Sequence, residues 1–184
     1  MHLRKEFKAR VKSDSGMTLL ETLITTVMIA LVSAVVAVSI PTVQNAYEKT
    51  VLAANAEVLL NTAVIALRNE LGTARNVTSD GMAVSFYNEN LNSEARIRKA
   101  QPENPAFPED AAFTGEMILY QRYANGNADP LLSGNPYHRG LYVTYESASC
   151  EGGIVTFHNL EVKMEEGNGQ PLTGQKSVSV RTGG

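Results

Sequence analysis

Residues 17–40, MTLLETLITTVMIALVSAVVAVSI, constrain this chain more than any other stretch. Seventeen of these 24 residues are apolar, none is Gly or Pro, and Glu21 is the one ionisable side chain. A helix rising about 1.5 Å per residue would extend about 36 Å here, enough to cross a hydrocarbon core about 30 Å thick. Residues 1–16 carry Arg4, Lys5, Lys8, Arg10 and Lys12 against Glu6 and Asp14, a local balance of +3. A basic flank before an apolar span predicts a cytoplasmic N-terminus, with everything beyond residue 40 outside. The span exceeds the roughly 7–15 apolar residues of a secretory signal, although Ala37-Val38-Ser39 offers a weak cleavage site. A carboxylate inside such a helix costs about 2.5–3.5 kcal/mol at the bilayer centre and less towards its end, so Glu21 is expected to have a role.

Gly16 closes the basic stretch and is followed by Met17-Thr18-Leu19-Leu20-Glu21. This order over residues 4–40 resembles the class III signal of type IV prepilins and pseudopilins: a basic leader ending in Gly, an apolar first mature residue, Glu at the fifth mature position and an apolar helix. Met17 departs from the Phe that is commonest in that family. The resemblance implies cutting between Gly16 and Met17 by a prepilin peptidase, followed by methylation of the new amine on Met17. Gly leaves the scissile backbone accessible. The new amine has a reference pKa near 8. In the family it pairs with the carboxylate of a neighbouring subunit, which is the role implied for Glu21. A pair is cheaper in lipid than two isolated charges.

Thr22, Thr26, Ala30, Ser33, Ala34 and Ala37 recur at helical spacing as a stripe of small residues that permits close helix approach. The same pattern is common in any membrane helix. Leu20, Leu23, Val27, Leu31, Val35 and Val38 supply bulkier faces. Pro41 follows without a turn cluster and is expected to kink or loosen the helix rather than end it. Beyond it, Val43, Tyr47, Val51, Ala54, Val58, Thr62 and Ile65 recur every three or four residues, an amphipathic pattern over residues 41–76.

From residue 77 the period changes. Met82, Val84 and Phe86 alternate, residues 116–123 and 141–146 are rich in β-formers, and Leu160, Val162 and Met164 alternate with charged residues. Val178 and Val180 alternate likewise, so the last two runs predict antiparallel partners. One apolar face per strand predicts a sheet covered on one side, with the amphipathic helix as cover. The expected class is α+β: a long N-terminal helix packed on an antiparallel head spanning residues 77–184, an arrangement the resemblance also implies. Residues 102–110, PENPAFPED, and 125–140 read as long loops, the former extended.

Signals for chemistry are sparse. The single cysteine, Cys150, excludes an internal disulfide and multi-cysteine metal sites, and with His138 it lacks the spacing of a catalytic pair. Asp129 with Asn125 and Asn127 offers oxygen ligands for calcium, without the glutamate that completes an EF-hand loop. Glu103, Glu109 and Asp110 read as a solvated face. The whole chain of 184 residues has 16 basic and 19 acidic side chains, too acidic for a dedicated nucleic-acid binder. Arg96, Arg98 and Lys99 form a local basic cluster, which leaves contact with DNA open. Without residues 1–16, eleven basic and seventeen acidic side chains would remain.

The resemblance therefore implies a non-enzymatic structural subunit without a cofactor, a pilin or minor pseudopilin of a pilus, secretion or DNA-uptake filament. Its implied partners are the peptidase, other subunits, a membrane assembly platform and, before assembly, the bilayer. Residues 66–75, ALRNELGTAR, resemble the helix end of minor subunits. The other expectation is a membrane-anchored binding module or adhesin that never polymerises and retains residues 1–16.

Overall fold

A computed structural model of the chain describes residues 19–113, 115–122, 126, 128–132, 140–164 and 171–183. The expected class is observed: among the described residues one α-helix, α1 (Leu19–Gly72), is followed by nine strands in antiparallel sheets. The helix passes through Pro41 and stops at Gly72, so residues 74–76 belong to a strand rather than to the end of the helix. Hydroxyl groups along α1 donate back to carbonyls three or four residues earlier, among them Thr22 to Leu19, Thr25 to Glu21 and Ser39 to Val35. That removes their need for water in an apolar setting.

The described residues fall into two units, divided at Thr50. In the first, no residue from Leu19 to Thr50 is buried, and the helix there is long and apolar enough to span a membrane. The second unit has its own core, to which α1 contributes Ala56, Leu59, Leu60, Ala63, Leu67 and Leu71. This corrects the amphipathic face expected from the sequence. Val58 and Ile65, on the expected face, are 66% and 58% exposed. The helix is apolar on more than one side, and periodicity alone does not say which side the strands cover.

The first sheet runs in the order β1 (Ala74–Ser79), β2 (Ala83–Asn88), β3 (Ser93–Lys99), β4 (Ile118–Arg122), β5 (Ala128–Pro130). Asp80 builds the β1–β2 turn by accepting the amides of Met82 and Ala83 at 2.9 and 2.7 Å. In the second sheet β8 (Ile154–Met164) is central. It pairs with β6 (Leu141–Thr144) and β7 (Ser147–Glu151) in one unbroken register, Thr144 opposite Glu161 and Ser147 opposite His158. Gly152 and Gly153, at φ 57° and 75°, make the two-residue turn from β7 to β8, a conformation that suits glycine.

The strand β9 (Lys176–Arg181) pairs with β8 as expected, but chiefly through Ile154–Phe157 rather than residues 160–164. The register shifts between Phe157 and Leu160, where Asn159 has φ 53°. This irregularity changes the parity of the buried positions from Val155 and Phe157 to Leu160 and Val162, so both halves of β8 face the core. The two sheets join where the Ala148 amide donates to Gly81 O at 2.9 Å and Tyr145 OH donates to Met82 O at 2.6 Å.

Truncating the buried strip tests the face assignment. Leu60→Ala and Leu67→Ala should each destabilise the head by about 2–5 kcal/mol. Val58→Ala and Ile65→Ala should cost less than about 1 kcal/mol. The chain has seven Tyr and no Trp, so tyrosine fluorescence during chemical denaturation reports the difference. Equal costs on the two faces would refute the assignment.

Candidate functional site: the α1 surface and the β3 charge cluster

Glu21 lies near the beginning of the described part of α1. Its side chain is exposed, as are those of Leu20, Leu23 and Ile24. Gly16 and Met17 lie outside the described residues. Pro41 sits within α1, exposed like the residues around it. Leu20, Leu23, Val27, Leu31, Val35 and Val38 are all exposed, and beyond Pro41 so are Val43, Tyr47, Val58 and Ile65.

The head holds the charges that sequence reading misplaced. Arg96, Arg98 and Lys99 do not form a surface patch. Arg96 pairs with Asp80 at 2.7 Å, Arg98 is buried, and the Lys99 side chain is 10% exposed. Asp110, expected on a solvated face, is fully buried and forms a two-pronged ion pair with Arg98. Arg98 Nε also donates to Gln121 at 3.1 Å, and its guanidinium stacks 4.7 Å from the Phe107 ring centroid. Asp110 accepts the Gln101 amide as well, at 2.9 Å. This bonding pins residues 101–110 onto β3. The segment is a series of turns ending in a 3-10 helix, Pro108–Ala112, rather than an extended loop. Its prolines fix φ at values a turn uses as readily as an extended chain. The pairing joins residues twelve apart with no local signature, and so was not legible beforehand.

Burial works to raise the Asp110 carboxyl. The Arg98 hydrogen bonds, the Gln101 amide and the Arg98 charge outweigh it, so the group titrates below the ordinary carboxylate range. Burial also opposes ionisation of Asp80, and the amides of Met82 and Ala83 with Arg96 again prevail.

The other candidates separate. Cys150 is on β7, half-buried, with its thiol 3.6 Å from Val77 O, while His138 lies outside the described residues. Asp129 is on β5, opposite Tyr120; Asn125 and Asn127 are outside the described residues. Among the described residues no three His, Cys, Asp or Glu side chains are grouped as a metal site. Glu103 and Glu109 are exposed, as expected. Ser149 and His158 meet at 3.1 Å across β7 and β8, a contact the sequence did not suggest. No protein-family model, curated protein or solved structure matches the chain.

Removing one member of the buried pair leaves the other charge without compensation. Asp110→Ala should therefore cost about 3–5 kcal/mol, and limited proteolysis should cut first within residues 101–113. The folded carboxyl titrates below its unfolded value near 3.9, so its contribution is complete above that pH and fades as pH falls through the lower folded value. An acid titration should show protease sensitivity in this segment rising only below about pH 4 in the native chain. Sensitivity already present at neutral pH would contradict the pinning.

Proposed function

We propose that this chain is a structural subunit, a pilin or minor pseudopilin, of a type IV filament system serving as a pilus, in type II secretion or in DNA uptake. Prepilin peptidase cuts between Gly16 and Met17 on the cytoplasmic side, and the Met17 amine is methylated. The subunit waits in the cytoplasmic membrane with its head outside, then leaves for a surface or periplasmic filament through the assembly platform. In the filament Glu21 pairs with the amine of a neighbouring subunit and sets the axial register.

The observation that carries this reading is the exposed apolar surface of α1. In the first unit it runs past the membrane-length segment to Val43 and Tyr47, and in the second Val58 and Ile65 are exposed while the head draws its core from other α1 residues. A simple anchor needs only the first part. A helix that must pack among other helices needs the whole surface, because lipid and a helical bundle are both dry. The order Gly16, Met17, Glu21 supports the same reading.

The test is co-expression with a prepilin peptidase and measurement of the intact mass. A chain starting at methylated Met17 is expected. Glu21→Ala should be processed normally yet fail to enter filaments, as judged by shearing and sedimentation. A chain that keeps residues 1–16 would point to an anchored module that never polymerises. One starting at Ile40 would point to ordinary secretion.

A further inference from the structure

Asn76-Val77-Thr78 on β1 is the chain's one Asn-x-Ser/Thr sequence. The structure sets it apart from the rest of the strand. Arg75 pairs with Tyr87 and Thr78 with Ser85, so Asn76 and Val77 together stand opposite Phe86 alone, as a β-bulge. Asn76 has φ 51°, a left-handed backbone that asparagine adopts more readily than most residues. Asn76 and Thr78 are both exposed. Neither the Asn76 carboxamide nor the Thr78 hydroxyl has a hydrogen-bond partner among the described residues.

The bulge accounts for an asparagine but not for the threonine two residues on. Asn92 and Asn159 have the same left-handed backbone, and Asn159 also lies at a register shift, yet Glu94 and Glu161 stand where a hydroxyl would be needed. Asn76 and Thr78 border one surface hollow of about 190 Å³, with Tyr87 and Glu94 beside them. The Tyr87 hydroxyl donates to Asn92 Oδ1 at 2.5 Å, which fixes an aromatic ring next to the bulge. Such a ring offers an apolar surface to the C–H face of a sugar attached there.

We propose that Asn76 is an N-glycosylation acceptor. This rests on the proposed placement of the head outside the cytoplasmic membrane, where a lipid-pyrophosphate-linked oligosaccharide and its membrane transferase act. Such an enzyme reads the asparagine together with the hydroxyl two residues on. Asn76 Nδ2 attacks the anomeric carbon of the donor. The C–N bond forms as the C–O bond to pyrophosphate breaks, the lipid pyrophosphate leaves with the electron pair, and one amide proton passes to a base of the transferase. Nothing is oxidised or reduced.

The chain is purified from the membrane and sheared surface fractions of its native cells and digested, and the peptides carrying Asn76 and the N-terminus are weighed. A mass gain of whole sugar residues, located on Asn76 by fragmentation, is expected. Asn76→Asp, which suits the same left-handed backbone, and Thr78→Ala should each lose the entire gain, while Thr78→Ser should keep part of it. An unmodified Asn76 in the native chain would overturn the proposal. So would a gain that survives in Asn76→Asp, which would mark a sugar on a hydroxyl. The N-terminal peptide separates this failure from that of the filament reading. A start at Met17 beside a bare Asn76 overturns only the glycosylation, whereas retained residues 1–16 beside a glycosylated Asn76 support it and count against the filament.

Discussion

Ala56, Leu59, Leu60, Ala63, Leu67 and Leu71 form the strip of α1 on which the head depends. Each sheet has an apolar face that must be removed from water, and these six side chains share one buried cluster with Val84, Phe86, Ile97, Phe157 and Val162. The mixture of small and large residues on the strip matters as much as its apolar character. Ala56 and Ala63 let the backbone come close, while the leucines fill the remaining space. The head is thus built around a segment that belongs to the same helix as the apolar span.

A second layer of organisation is polar. The ion pair of Arg98 and Asp110 holds a proline-rich segment onto β3, with Gln101, Gln121 and Phe107 completing its surroundings. Such a pair is costly to bury and more costly to break, so it acts chiefly as a constraint on where the segment sits. The irregularity at Asn159 works in the same way on β8, aiming two out-of-phase halves of one strand into a common core.

Much of the fold was legible before any coordinates. The change from a period near 3.6 to one near 2, read from residue 77 and found in the structure after Gly72, marks the passage from helix to sheet, and the alternation at Leu160, Val162 and Val178, Val180 locates two strands. Less legible were the strands with weak alternation, such as β7, whose pattern SASCE carries little hydrophobic contrast. The face of α1 was misassigned because Val58 and Ile65 are as apolar as Leu60 and Leu67. Asp110 was placed in solvent because charged residues in loops usually are there, and its partner is twelve residues away.

By itself, the sequence determined the apolar span with its solitary Glu21, the basic stretch before it, and the order of helix and strands. Those properties depend on residues near one another along the chain, where hydrophobicity, charge and periodicity act locally. Only the tertiary structure decided which side of α1 is buried and which carboxylate each β3 cation meets. Those outcomes depend on contacts between residues far apart in sequence, where packing and desolvation choose among alternatives that local pattern leaves equal.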